Sequence, residues 1–193
     1  MFSFMSESQS AEEGSSRRLF LGKSGLLLSG TAIALLAGNE TLAQAADKAT
    51  PDDIRILNGA LGAELEAIAA YQVGAESKLL QKPVLDLAVT FQGQHKEHAA
   101  LLSKTIKTLG GTPVMAKAKY TFPVDQLKSQ ADVLRFAASL EQGAVSAYLG
   151  AVPIFKNRDL AKAAASILGD EAMHLAVLRN ALGEAPVPSA FVS

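Results

Sequence analysis

The stretch 94-QHKEHAALL-102 holds His95 and His98, two of the three histidines in a chain of 193 residues. The third, His174, lies in 170-DEAMHLAVL-178, a stretch of the same shape. In each, a side chain with metal-binding chemistry sits three residues before a histidine: His95 before His98, and Glu171 before His174. Residues three apart on an α-helix project from the same face one turn on, so each pair can grip one site.

Both stretches fall inside longer helical patterns. Apolar residues alternate in steps of three and four along Ile54, Leu57, Leu61, Ile68 and Tyr71, and along Val84, Ala88, Phe91, Leu102 and Leu109. The same rhythm returns along Leu134, Ala138, Val145, Tyr148 and Phe155, and along Leu160, Ala164, Ile167, Leu178 and Ala181. Such stripes are the mark of helices packing lengthwise in a bundle. They predict helices over about 52–78, 83–109, 129–155 and 159–182. Pro51-Asp52-Asp53 and Asp159 offer N-cap chemistry, Gly110-Gly111 and Gly183 offer stops, and Pro153 ends or kinks the third helix. About 20 residues between the second and third helices, with Pro113 and Pro123, are long enough to cross a bundle from end to end. The expected fold is all-α: two helix pairs joined by a long crossover.

Glu64, His95, His98, Glu141, Glu171 and His174 interrupt these stripes at positions that should face the core. An ionised side chain in a core costs several kcal/mol unless something compensates it. A shared metal ion is such a compensation, because it turns inward carboxylates and imidazoles into satisfied ligands. The spacing also repeats. Glu64 precedes Tyr71 by seven, as Glu141 precedes Tyr148, and Glu64 to His98 spans 34 residues against 33 from Glu141 to His174. The halves read as one unit used twice, a helix with Glu-x6-Tyr followed by a helix with [His/Glu]-x-x-His. Tyr71 and Tyr148 read as core residues whose hydroxyls bond inward. Glu66, Glu76, Glu97 and Asp170 lie off the stripes and read as surface charge.

This arrangement resembles the ferritin-like superfamily, whose bundles take one Glu from each of two helices and a Glu-x-x-His pair from each of the others. The stretches 140-LEQGAVSAYLGAVP-153 and 169-GDEAMHLAVL-178 are similar to an often exported branch of ferritin-like domain proteins that includes desiccation-related relatives. The resemblance covers about Asp52 to Gly183 and implies a ferritin-like four-helix bundle with iron, manganese or zinc as cofactor. It assigns Glu64 and Glu141 to the single-Glu positions, Glu171 and His174 to one pair, and His98 to the histidine of the other. His95 stands where the family pattern has Glu. A neutral imidazole offers one nitrogen to one metal, so a di-iron centre, an asymmetric pair, and a mononuclear iron or zinc site are all open. The implied chemistry is oxidation of Fe(II) or removal of a small oxidant, peroxide or dioxygen, in stress protection. The alternative is a non-catalytic exported bundle that sequesters metal or has lost its site.

At the front of the chain, Arg17-Arg18-Leu19-Phe20-Leu21-Gly22-Lys23 resembles a twin-arginine export signal. The apolar run from Gly25 to Gly38 is shorter than the about 20 residues of a membrane-spanning helix. Ala43-Gln44-Ala45 fits small-x-small cleavage, which predicts a signal over residues 1–45, a mature domain over 46–193 and no stable membrane insertion. The expected location is periplasmic or otherwise exported. Eighteen basic residues against nineteen acidic ones leave a net charge of −1 with no basic stripe for phosphates, which argues against nucleic acid as a partner. The absence of cysteine excludes disulfides, thiolate metal sites and thiol catalysis. Metal ions and a small oxidant are the expected partners, and a homodimer is compatible with the pattern.

Overall fold

The computed structural model describes residues 49–193. The expected export signal and its cleavage after Ala45 lie outside the described residues. Four long helices account for most of the described chain: α1 (Pro51–Glu76), α2 (Lys82–Thr108), α3 (Gln130–Ala151) and α4 (Arg158–Ala181). No strand occurs among the described residues.

The start of α1 is tied down more firmly than an ordinary cap. Thr50, rather than Pro51-Asp52-Asp53, is the N-cap: its hydroxyl accepts from the Asp53 amide at 3.2 Å, while Asp53 Oδ2 accepts from the Thr50 amide at 2.8 Å. This reciprocal pair satisfies two backbone donors that a helix start would otherwise leave unpaired. The other Asp53 oxygen accepts from the Lys156 amide at 2.7 Å, stitching α1 to the turn between α3 and α4. Asp53 is fully buried, and these donors hold its carboxyl below the usual range although burial alone would raise it.

The remaining ends follow from local chemistry. Pro83 opens α2 in the first turn, where its missing N–H costs nothing. Gly110 ends it at φ +79°, with backbone bonds from Gly110 N to Lys107 O and from Gly111 N to Ile106 O. Ser129 caps α3, accepting from the Asp132 amide. That helix stops at Ala151, short of the expected 155, because Pro153 cannot donate the next helical bond; a 3-10 turn over Val152–Ile154 takes its place. Asn157, not Asp159, caps α4, its side-chain oxygen accepting from the amides of Asp159 and Leu160. The crossover carries one 3-10 turn, Val124–Gln126, and is pinned to α1 by Asn58, which bonds Thr112 O and Val114 N.

Helix α1 packs along α2, α3 packs along α4, and α1 meets α3 across the bundle, while α2 and α4 touch more sparingly. The apolar core is divided in two. Leu57, Leu61, Leu102, Ile106, Leu160 and Ile167 fill one end, and Tyr71, Phe91, Leu134, Ala137 and Leu178 fill the other. Burying one such leucine or isoleucine is worth about 1.5–3 kcal/mol, so these two plugs supply the stability against which the polar middle layer is set.

Candidate metal centre

All six residues singled out by the interrupted stripes meet in that middle layer. Glu64 comes from α1, His95 and His98 from α2, Glu141 from α3, and Glu171 and His174 from α4. Five are buried to 3% exposure or less, and His98 keeps 14% of its side chain open to solvent. Each lies one or two turns from the apolar plugs on both sides, so the bundle can shield them from water without bending any helix.

The six form two overlapping sets. One joins Glu64, His95, His98 and Glu171; the other joins His95, Glu141, Glu171 and His174, and within each set the potential ligand atoms lie within 4.8 Å of one another. In the first, His95 Nδ1 lies 2.8 Å from Glu64 Oε2, and His98 Nδ1 lies 3.2 Å from Glu171 Oε1. In the second, His95 Nε2 lies 3.3 Å from Glu141 Oε1, and His174 Nδ1 lies 3.3 Å from Glu171 Oε2.

Around this cluster the two halves of the chain interlock. Tyr148 of the second half donates to Glu64 at 2.7 Å, and Tyr71 of the first half donates to Glu141. Burial and the facing carboxylates push both phenols well above their ordinary pKa, so they stay protonated donors. Both hydroxyls bond inward, in keeping with their place on the stripes.

Two residues at the rim were not legible as part of the site. Asp170 reads as surface charge in the sequence, yet its Oδ2 lies 3.3 Å from His98 Nε2 and 3.5 Å from His174 Nε2. Gln94 Oε1 lies 2.8 Å from His174 Nε2. Partners on the far ring nitrogen fix a histidine's tautomer and leave the other nitrogen free to bind a metal. A signal for both was present: Gln94 precedes His95 as Asp170 precedes Glu171, the same register in both halves.

The electrostatics show what the cluster lacks. Burial alone would depress each imidazole, but the surrounding carboxylates win and push His95 up to about 10, His98 to about 12 and His174 to about 9. Burial would likewise raise Glu64, and the neighbouring histidines instead hold it at about 2. Glu171 stays above the usual carboxylate range, through burial and the adjacent Glu141. In the metal-free protein, protons on imidazole therefore stand in for cationic charge.

The protons do not finish the job. His98 Nδ1, His174 Nδ1 and both oxygens of Glu171 are buried and make no hydrogen bond. Buried polar atoms are nearly always satisfied, and each orphan costs about 1–3 kcal/mol. These four are the inward ring nitrogen of each outer histidine and both ends of the carboxylate between them. A divalent cation in each set would satisfy all four at once, and the donor set of carboxylates and imidazoles suits iron, manganese or zinc. The residues present fit a bound metal.

The comparisons agree with this architecture. A conserved hypothetical protein from Mycobacterium tuberculosis superposes with a TM-score of 0.63 at 27% identity, over 72% of this chain and 96% of that one. A ferritin-like di-iron-carboxylate protein from Bacillus anthracis gives 0.58 at 23% identity, over 68% and 95%. A mycobacterial bacterioferritin gives 0.59 at 18% identity, over 70% and 86%. The latter two likenesses establish the fold, an all-α ferritin-like four-helix bundle. No curated protein matches the chain significantly. The sequence model of the ferritin-like domain matches residues 52–184, a span that takes in all four helices and all six clustered side chains, and the chain belongs to that family.

Proposed function

We propose that this chain is an exported non-haem metal protein that binds iron or manganese in the Glu64, His95, His98, Glu141, Glu171, His174 cluster. It uses that metal to oxidise Fe(II) or to remove peroxide in stress protection. The observation that carries the reading is the set of four buried, unbonded ligand atoms on His98, His174 and Glu171. A bound redox metal would supply the one-electron chemistry that this reading requires.

The protein's own residues do the rest. Glu64, Glu141 and Glu171 supply the negative charge that favours a higher oxidation state. His98 and His174 are aimed by Asp170 and Gln94. The apolar plugs exclude bulk water from the middle layer, and the one partly open ligand of the six, His98, lies beside the partly buried Asp170 on the looser α2–α4 side. A molecule the size of peroxide or dioxygen would enter there. The likeness to the Bacillus anthracis di-iron-carboxylate protein supports iron as the first metal to test.

The second reading is a non-catalytic bundle that sequesters metal or has lost its metal site, and the direct 2.8 Å contact of His95 with Glu64 favours the lost site, because ion pairing already neutralises part of the cluster without a metal. Anaerobic loading with Fe(II) followed by peroxide separates the two. Repeated oxidation of added Fe(II) beyond the bound stoichiometry supports the redox reading; binding without turnover supports sequestration, and no binding supports a lost site. For export, mass spectrometry of the secreted or periplasmic protein should find an N-terminus at Ala46, and an intact Met1 end would overturn it.

A further inference from the structure

His95 differs from the other two histidines in where its second nitrogen goes. His98 turns Nδ1 toward the cluster and Nε2 outward to Asp170. His174 turns Nδ1 toward the cluster and Nε2 outward to Gln94. That is the ordinary arrangement of a metal-binding histidine, one nitrogen for the metal and one for an orienting acceptor. His95 has no such outer acceptor. Its Nδ1 faces Glu64 at 2.8 Å and its Nε2 faces Glu141 at 3.3 Å, so both nitrogens point at carboxylates of the cluster itself, one from each half of the chain.

Glu171 is two-ended in the same way. Oε1 faces His98 Nδ1 at 3.2 Å and His95 Nδ1 at 3.6 Å, while Oε2 faces His174 Nδ1 at 3.3 Å. His95 and Glu171 are the two residues common to both ligand sets. The His95 ring is also held in place: it is 1% exposed, with the Tyr71 ring 5.3 Å away on one side and the His174 ring 5.3 Å away at a steep angle.

Resting on the metal-binding reading above, we infer that His95 is a bridging ligand. Its Nδ1 serves a metal held with Glu64, His98 and Glu171 Oε1, and its Nε2 serves a second metal held with Glu141, His174 and Glu171 Oε2. Each nitrogen contributes one lone pair, so the ring, which carries a proton on each nitrogen in the metal-free protein, gives up both to solvent as the two metals displace them. The expectation that one imidazole serves one metal holds for the neutral ring and not for this one. Because the two nitrogens lie on different edges of a rigid ring, the metals sit farther apart than the about 3.5–4 Å of ordinary two-metal sites. The substitution of His for the family's Glu thus keeps two metal positions and changes what joins them.

Anaerobic Co(II) is a suitable probe, with bound cobalt per chain and the metal–metal distance from X-ray absorption as readouts. The wild-type chain should bind two Co(II) with no metal neighbour inside about 4 Å. His95→Glu should also bind two, now with a neighbour at about 3.5–4 Å. His95→Gln should weaken the second Co(II) by at least about 10-fold, the smallest loss expected even for an outer partner of a ligand. One Co(II) per wild-type chain, a short metal–metal distance in the wild type, or an unchanged distance in His95→Glu would each overturn the bridge while leaving metal binding intact. No Co(II) in any form would overturn the bridge and the metal reading together.

Discussion

At the scale of single residues, Glu171 and His174 carry the heaviest expectation, since both oxygens of one and the inward nitrogen of the other lack any hydrogen bond. Replacing either with Ala should abolish metal binding and leave the four helices intact, as read by bound metal per chain and by helical circular dichroism. Unchanged metal content in both variants would contradict the site. Tyr148→Phe tests the frame around it. Removing the hydroxyl that donates to Glu64 at 2.7 Å should cost the metal-free protein about 1.5–3 kcal/mol in denaturant unfolding, the range for a hydrogen bond to a charged group. A change near zero would mean that Glu64 is satisfied without it. The stripe interruptions made the six cluster residues legible in the sequence because an inward charge at mid-helix stands out from its apolar neighbours. Gln94 and Asp170 were not legible that way. They flank the ligands and reach the far edge of a ring on the facing helix, Asp170 to His98 and Gln94 to His174; periodicity within one helix reports neither of those contacts, only the longer i, i+4 approach of Asp170 to His174.

At the scale of elements, the helix ends show how small differences in side chain decide a boundary. Asn157 outcompetes Asp159 at the start of α4 because its oxygen reaches two amides, those of Asp159 and Leu160. Asp53 looks in sequence like one more N-terminal acid. In the fold it closes the Thr50 cap with one oxygen and ties down the α3–α4 turn with the other. That second role joins residues 103 positions apart and depends on tertiary structure alone. Asp53→Ala should therefore cost about 3 kcal/mol, more than a surface cap, because it strips a cap and also takes the acceptor from the part-buried Lys156 amide bond. Thermal unfolding of the metal-free protein checks this, and a loss below about 1 kcal/mol, within the usual range for caps alone, would contradict the tertiary role.

At the scale of the whole molecule, the polar layer between two apolar plugs makes stability depend on pH in both directions. His95 and His174 are raised from 6.5 to about 10 and about 9, so their contribution is full below about 6.5 and is lost as pH rises through those values. Glu64 is lowered from 4.5 to about 2, so its contribution is full above about 4.5 and is lost as pH falls toward about 2. The melting temperature of metal-free protein should fall on the alkaline side between pH 6.5 and 10 and on the acid side below 4.5. Metal loading should remove the alkaline decline, because bound cations hold the rings deprotonated. A flat alkaline limb in the metal-free protein would contradict the imidazolium cluster.

The claim beneath all of this is that the buried glutamate–histidine layer is a metal site. Its most direct test is elemental analysis, per chain, of protein isolated from its native compartment without affinity-tag metals, alongside Glu171→Ala. The account predicts stoichiometric iron or manganese in the wild type and its loss in the variant. A wild-type protein that is metal-free and stays so after anaerobic Fe(II) loading would contradict it.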